Sequence, residues 1–224
     1  MHVRALFAHD ARSRLLFVNE PGSQVPAPRL FLGRTRASNL WRFRADLPAS
    51  LVTELEALCV AEPVGEELHR EPRHSAAYVR LLEAHAPMRQ LEAGPAYHFA
   101  EYPEPARPLL ALTEKDAGML HGGFEDLVAE LPDWQPFLAL LDGGRAVSVC
   151  RSARITPAAH EAGVETLPDF RGKGYARDVV AGWARSVRSL GAVPLYSTSW
   201  ENIASQAVAK KLHLVLYGAD FHVT

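Results

Sequence analysis

The most regular alternation of apolar and polar positions in the chain lies between residues 175 and 190. Apolar or small residues recur there at helical spacing, while arginines and an aspartate occupy the other face. The apolar set is Ala176, Val179, Val180, Trp183, Ala184, Val187 and Leu190. Gly191 stands where a helix cap is expected, and Pro194 prevents the helix from continuing. The pattern predicts one long amphipathic helix.

The rest of the second half alternates short apolar runs with turn signals. We predict strands at 109–112, 137–141, 146–150 and 163–167, and a last strand that starts near Val215. Asp142-Gly143-Gly144 separates two of these runs, as a hairpin turn does. Thr113 and Asp116 resemble a capping box, and the apolar spacing over 117–131 predicts that an amphipathic helix follows. Gly122-Gly123 interrupts that helix, so the alternative is two helices joined at the glycines.

The first half of the chain predicts a mixture of helices and strands. Apolar spacing predicts helices at 5–18, 51–59 and 78–85, and strands at 29–33, 40–44 and 96–100. Residues 62–74 carry mixed charges and two prolines, which predicts a loop. This half contains neither an internal repeat nor a motif typical of a known chemistry.

Residues 102–108 are the best candidate for a domain boundary. The prolines at 103, 105 and 108 exclude both a helix and a central strand there. We therefore divide the chain into an N-terminal lobe of mixed helix and strand, 1–105, and a second domain, 106–224.

Composition limits the classes of function. The chain has 224 residues, of which 48% are hydrophobic and 22% charged, enough apolar content for a proper core. A net charge of −2 gives no general attraction to nucleic acid or to an acidic membrane. Cys59 and Cys150 form neither a disulfide framework nor a metal-binding spacing, and their apolar neighbours predict buried thiols. Without a signal peptide or a membrane-spanning run, we expect a cytoplasmic protein.

The turn before the long helix has the features of an anion site. Residues 164–176 predict the end of a strand, a tight turn and the start of the helix, where backbone amides lack partners and the helix dipole is positive. Gly172 and Gly174 leave those amides accessible, and Arg171 and Lys173 add positive charge, which suits a phosphate or a pyrophosphate. The alternative is an ordinary strand-to-helix turn with two solvated cations.

Two common phosphate motifs do not fit. A Walker loop needs a glycine where Leu167 stands and a serine or threonine where Gly174 follows Lys173. A dinucleotide fingerprint needs a third glycine at the position of Arg177.

Arg-x-x-Gly-x-Ala over 171–176 resembles the acyl-CoA pyrophosphate loop of the GNAT superfamily of N-acetyltransferases. Residues 160–166 resemble the fourth strand of that fold, 193–200 the fifth, and 202–212 the helix that follows. The motif Glu-x-Gly-x-Glu-Thr over 161–166 resembles that of a subgroup that includes zwittermicin-resistance acetyltransferases. The resemblance covers roughly 106–224 and implies an α/β (α+β) fold, with a mixed, mostly antiparallel sheet flanked by helices, preceded by the smaller N-terminal α/β lobe.

The resemblance implies acetyl-CoA as cosubstrate and assigns residues to it. Thr166 and Leu167 match the strand edge that pairs with the pantetheine arm through backbone groups. Asn202 and Ser205 open the later helix and either bind the pantetheine amides or cap that helix. The residues matching the pyrophosphate loop are Arg171, Gly172, Lys173, Gly174, Tyr175 and Ala176.

The acceptor amine must lose a proton before it attacks the thioester. An amine of pKa ~10.4 is neutral at pH 7 in only about 1 part in 2,500, a penalty of roughly 4.6 kcal/mol, so a nearby carboxylate is chemically useful. The family's strand-four base matches Glu161 or its neighbour His160, and we favour Glu161. Glu165 lies four residues on and shares its face if the strand is regular, so it is a second catalytic candidate or a site for a cationic substrate group. The alternative is that both glutamates merely face solvent.

The sequence departs from the family at one position of the later helix. Many relatives carry there a tyrosine that protonates the leaving thiolate, and here the position is Ala209. That role then falls to Tyr175, Tyr196, Tyr217, water or no group.

Three functions follow from these residues. The first is an acetyl-CoA-dependent N-acetyltransferase that acts by direct attack of an amine of a small molecule or a protein, as a monomer or homodimer without a metal. The alternative is a non-catalytic acyl-CoA-binding sensor or interaction module, and the third is a protein that binds another phosphate ligand at the turn. In the first, the N-terminal lobe supplies a wall of the substrate site.

Overall fold

A computed structural model describes residues 1–65 and 67–224, and it is a mixed α/β structure as predicted. The helices are α1 (His2–Leu6), α2 (Ala49–Ala61), α3 (Ser75–His85), α4 (Tyr175–Ser189) and α5 (Ile203–Lys211). The strands are β1 (Phe7–His9), β2 (Leu15–Val18), β3 (Leu30–Arg34), β4 (Asn39–Phe43), β5 (Leu91–His98), β6 (Leu110–Ala111), β7 (Phe137–Asp142), β8 (Arg145–Ile155), β9 (Ala159–Thr166), β10 (Val193–Ser197) and β11 (Val215–Val223). Short 3-10 helices span Glu114–Leu120, Glu125–Glu130 and Pro168–Phe170.

The chain forms two compact units that interleave in sequence. The first, here called the α4 unit, comprises Met1–Ala5, His98–Tyr196 and Ala204–Val215. The second, here called the α2–α3 unit, comprises Leu6–Tyr97, Ser197–Ile203 and Leu216–Thr224. The bounds of these units differ from the halves 1–105 and 106–224. Residues 1–5 belong to the α4 unit, whereas residues 197–203 and 216–224 belong to the α2–α3 unit. The described residues include no helix that is both long and apolar enough to cross a bilayer.

The α4 unit is built on strands in the order β10-β9-β8-β7-β6. The pair β9–β10 is parallel, and the pairs from β9 to β6 are antiparallel. Helix α4 begins and ends as predicted, and it buries Val179, Val180, Trp183, Ala184 and Val187 of its apolar side, whereas Leu190 is exposed. Its Trp183 is fully buried, and the indole Nε1–H donates to Ser152 Oγ of β8 at 3.0 Å. This bond satisfies a buried donor and fixes the helix on the sheet.

One amphipathic helix over 117–131 was the wrong prediction, and the alternative of two helices joined at Gly122-Gly123 is correct, with both helices of the 3-10 type. Both glycines have positive φ, 93° and 143°, and a Cβ on Gly123 would lie 2.5 Å from Leu167 Cδ2. The break lets the chain approach Leu167 closely, and the Glu125 carboxylate accepts hydrogen bonds from both glycine amides. The capping box of Thr113 and Asp116 is present as predicted.

The α2–α3 unit contains strands in the order β4-β3-β11-β5 and a separate hairpin, β1–β2. Helices α2 and α3 pack with β3, β4 and β11 around a core that includes Leu55, Tyr78 and Phe221. The predicted helix over 5–18 was wrong. Asp10 accepts hydrogen bonds from the amides of Arg12 and Arg14, and this local turn favours a hairpin over a helix.

Both cysteines are buried and free, as predicted. Cys59 packs in the core of the α2–α3 unit, and Cys150 lies on β8. Burial raises the pKa of the Cys59 thiol to about 12, so it behaves as an apolar core residue rather than as a nucleophile.

His222 of β11 is a mostly buried imidazole with acidic neighbours. Its Nδ1 lies 3.7 Å from Glu92 Oε2 and its Nε2 lies 3.8 Å from Asp220 Oδ2. Its ring packs against Phe7 and Phe31. Burial alone would lower the pKa of His222, but the negative charges of the two nearby carboxylates outweigh it and raise the pKa to about 9.

This raised pKa predicts that alkaline pH destabilises the protein. The folded state holds a proton that the unfolded chain releases near pH 6.5, so the stabilisation is full below pH 6.5 and is lost as pH rises through about 9. We expect the free energy of unfolding, measured by urea denaturation, to fall over this range. His222→Phe should flatten the dependence, whereas substitution of the exposed His213 should leave the slope unchanged. An equal slope in wild type and His222→Phe would contradict the assignment.

Candidate active site

The site begins at the turn between β9 and α4. After the 3-10 helix Pro168–Phe170, the chain passes through Arg171, Gly172 and Lys173, all exposed, to Gly174 at the cap of α4. Gly172 and Gly174 have φ of 75° and 83°, left-handed values at which a side chain is strained. The two glycines are therefore needed for the left-handed backbone conformation, and they also leave the backbone amides accessible.

The amides of this turn are available to a ligand. Among the hydrogen bonds of the described residues, none is donated by the amide of any residue from 172 to 177. The first amide of the helix region to find a partner is that of Asp178, which donates to Gly174 O at 3.3 Å. The predicted loop residues Gly172, Lys173, Gly174, Tyr175 and Ala176 thus lie together at the positive end of the α4 dipole.

Aromatic rings form one side of the turn. Phe170 and Tyr175 stack with their centroids 6.2 Å apart, and Lys173 Nζ lies 4.9 Å from the centre of the Phe170 ring. Arg171 Nε donates to Thr166 O at 3.1 Å, which holds the turn against the end of β9. Both predicted cations therefore have defined positions beside the amides.

A buried carboxylate supports the same turn from the protein side. Asp178, in the first turn of α4, has a side chain that is 1% exposed. Its Oδ1 accepts from Ala106 N at 3.1 Å and its Oδ2 accepts from Arg107 Nη1 at 2.6 Å. Arg177 Nη1 also lies 3.0 Å from Oδ1. Neither Arg107 nor Asp178 was predicted as a site residue, because the proline-rich stretch was interpreted as a domain boundary.

The parallel strands β9 and β10 part at the centre of the site. Their register has three pairs and ends at Leu195↔Glu161 within the described residues. From Ala162 onward, β9 is paired only with β8. Leu167 N donates to Val147 O of the strand β8. Since the backbone N–H groups of successive strand residues point to opposite edges, the amides of Ala162 and Val164 point to the other edge of β9, where β10 no longer pairs with it.

Thr166 and Leu167 therefore differ in what they offer to a ligand. The backbone groups of Thr166 point, like those of Ala162 and Val164, to the edge of β9 that β10 no longer pairs. The Thr166 carbonyl already accepts a hydrogen bond from Arg171 Nε. The Leu167 amide is already used in the sheet, and its side chain packs against Gly123. Val164 is an additional candidate that the alternation of the strand would have identified.

Glu161 and Glu165 share a face of β9, since the bulge that interrupts the ladder lies on β8 between Ser152 and Arg154. Their surroundings differ. Glu161 is buried, and its Oε2 lies 3.6 Å from Nε2 of His2 in α1. Glu165 is exposed, and its Oε1 accepts from Arg151 Nη1 at 2.7 Å.

His160, the other strand-four candidate, faces the opposite side. Its Nδ1 is 2.9 Å from Ser152 Oγ, the same hydroxyl that accepts from Trp183. Burial lowers the pKa of His160, which keeps the ring neutral in the core beneath α4.

A third carboxylate joins the face that carries Glu161 and Glu165. Glu130, from the 3-10 helix Glu125–Glu130, accepts a hydrogen bond from Arg151 Nε. Burial raises the pKa of Glu130, although Arg151 opposes the shift, and Arg151 also stacks 5.2 Å from the Trp134 ring centre. No local spacing signal in the sequence connects His2, Glu130 or Arg151 with β9.

Helix α5 begins directly after the exposed Asn202. Ser205 Oγ lies 2.6 Å from the hydroxyl of Tyr196 on β10, and Ala209 is buried. The Tyr196 hydroxyl is thus engaged with α5, and the Tyr175 ring packs between Phe170 and Arg107. The described residues contain no group of three or more His, Cys, Asp or Glu side chains that could hold a metal.

Comparison with known proteins agrees with this geometry. Residues 137–216 match the sequence model of a family described as GNAT acetyltransferase. No curated protein matches the chain significantly.

The fold is similar to those of several solved structures. One is described as an acetyltransferase of the GNAT family from Novosphingobium aromaticivorans, with 17% identity, a TM-score of 0.50 and coverage of 61% of this chain and 65% of the other. Another, a GCN5-related N-acetyltransferase-like protein from Streptococcus suis, has 18% identity, a TM-score of 0.50 and coverage of 88% and 85%. A Drosophila protein has 14% identity, a TM-score of 0.51 and coverage of 86% and 72%. At these identities the likeness is one of fold.

The left-handed turn predicts a specific sensitivity. Gly174→Ala should lower the free energy of unfolding by about 1–2 kcal/mol, because an added Cβ is strained at positive φ. Gly118→Ala is the matched control, since a Cβ there meets no atom within 4 Å and φ is not positive. Urea denaturation checks both, and equal effects of the two variants would show that Gly174 can relax.

Proposed function

We propose that this chain, whose residues 137–216 match the GNAT acetyltransferase family model, transfers an acetyl group from acetyl-CoA to an amine of a small molecule or a protein. One observation carries the proposal. The exposed turn with its unpartnered amides at the start of α4 lies directly after a strand whose edge opens where β10 leaves it.

The turn suits the diphosphate of CoA. Five consecutive residues, 172–176, present amides where the helix dipole is positive, and Arg171 and Lys173 add two full charges at its exposed side. The two left-handed glycines let the backbone curve around one anion. A diphosphate satisfies the amides without displacing any existing hydrogen bond.

The open edge of β9 suits the pantetheine arm. That arm carries two amide groups, and an extended chain with amides pairs with a free strand edge as another strand would. The backbone groups of Val164 and Thr166 face the opening and supply such an edge. An amide there also polarises the thioester carbonyl as the tetrahedral intermediate forms.

Glu161 is the proposed base, and Glu165 the proposed partner of a cationic group on the substrate. The amine must lose a proton, and Glu161 is a buried carboxylate on β9 that can accept it, with Oε2 3.6 Å from His2 Nε2. Glu165 is exposed and held by Arg151, an arrangement suited to contact with a substrate rather than to proton uptake. The amine attacks the carbonyl carbon, the C–S bond breaks, and CoA leaves as its thiolate.

The alternative of a non-catalytic acyl-CoA-binding module rests on Ala209. This buried alanine provides no acid for the leaving thiolate, and the nearby Tyr196 hydroxyl bonds to Ser205. Since a thiolate of pKa ~8.5 is a tolerable leaving group at neutral pH, absence of an acid slows turnover without preventing it.

Ligand binding tests the cosubstrate. In calorimetric titrations we expect CoA and acetyl-CoA to bind, and pantetheine and ATP to bind much more weakly, since each offers only part of the site. Strong ATP binding with no response to CoA would instead favour the third function, a site for another phosphate ligand.

Turnover tests the base. Glu161→Gln should lower kcat by about 10²–10⁴-fold while acetyl-CoA still binds, because the variant cannot accept the amine proton. Thiol release in the presence of an amine library provides the assay, with the exposed Glu56→Gln as a control. Glu165→Gln should mainly raise KM for the amine. Unchanged turnover in Glu161→Gln would remove it as base, and a wild type that binds acetyl-CoA but never releases thiol would favour the sensor.

A further inference from the structure

Arg107 joins three parts of the α4 start with one side chain. Its Nη1 donates to Asp178 Oδ2 at 2.6 Å, its Nη2 donates to Lys173 O at 3.2 Å, and its Cζ lies 4.9 Å from the Tyr175 ring centre. Arg107 itself comes from the proline-rich segment far upstream in sequence, and that segment is anchored by the bond from Ala106 N to Asp178.

The contact with Lys173 O sets the direction of an amide in the turn. In a planar trans peptide, the carbonyl of one residue and the N–H of the next point in opposite directions. With Lys173 O held by Arg107, the Gly174 N–H points away from Arg107. Without this contact the peptide could rotate through ψ of Lys173 and φ of Gly174, and glycine makes the second rotation easy.

The contact with Asp178 offsets the negative charge of that carboxylate, which would otherwise repel an anion bound at the start of α4. A carboxylate in the first turn of a helix is favourable for the dipole but repels a diphosphate bound at the same end. Asp178 is completely buried, so water screens its charge poorly. Arg107 and Arg177 pair with its two oxygens and offset that repulsion.

We propose that Arg107 is a positioning residue for the diphosphate of acetyl-CoA. It orients the Lys173–Gly174 peptide and neutralises Asp178, and it does so from the protein side of the turn without being a ligand. The inference rests on the proposed function, since it concerns the same binding site.

The test compares two arginines that tie α4 to the same segment. Arg185, about two turns beyond Asp178 on the helix, donates to Tyr102 O at 3.0 Å and pairs with Glu104 at 2.5 Å. Arg107→Met removes the contacts at the turn, Arg185→Met is the matched control, and Arg107→Lys keeps the charge but loses the forked donor set. Circular dichroism and thermal unfolding verify that each variant is folded.

We expect Arg107→Met to raise the Kd for CoA about 10-fold or more, with the Kd for pantetheine unchanged, because pantetheine lacks the diphosphate. Arg185→Met should bind CoA like the wild type, and Arg107→Lys should recover part of the loss. In turnover, KM for acetyl-CoA should rise more than kcat falls.

Two results would overturn the inference while the proposed function stands. These are normal CoA affinity in Arg107→Met, and equal loss of CoA and pantetheine binding, which indicates a merely structural role. If Arg107→Met does not fold, Arg107→Lys decides alone: weaker CoA binding with unchanged pantetheine binding supports the inference, and unchanged CoA binding refutes it. Failure of the wild type to bind CoA overturns the proposed function and this inference together.

Discussion

The packing of α4 on β8 and β9 is the interaction on which the α4 unit depends. The buried indole of Trp183 bonds to Ser152, and the same hydroxyl meets His160, so one small polar group links the helix to two strands. Because the helix is fixed along its buried face, its first turn has one defined place at the end of β9. The position of the glycine turn at the start of α4 is a consequence of that placement.

Charge at the start of α4 follows from the same geometry. The helix end attracts anions, and the protein has already placed one of its own there, the carboxylate of Asp178. Two arginines pair with it, while Arg171 and Lys173 remain on the exposed side. The arrangement separates the two arginines that pair with a buried carboxylate from the two cations that are exposed to solvent.

Features set by neighbours in sequence could be predicted, and those set by distant residues could not. Helix α4 with Gly191 at its end, the β7–β8 hairpin and the glycine turn all follow from short spacings. The hairpin β1–β2 was missed because the side chain of Asp10 overrode a helical apolar spacing. His2 beside Glu161, and Glu130 on Arg151, join elements far apart in the chain, so no local pattern indicates them.

The early separation of β9 from β10 has a consequence for the protein without a ligand. A row of backbone groups that β10 does not pair is open to any extended peptide, including a strand of a second copy. A ligand bound along this edge of β9 would therefore prevent self-association through it. Under the proposed function, the form without acetyl-CoA is the one most open to self-association.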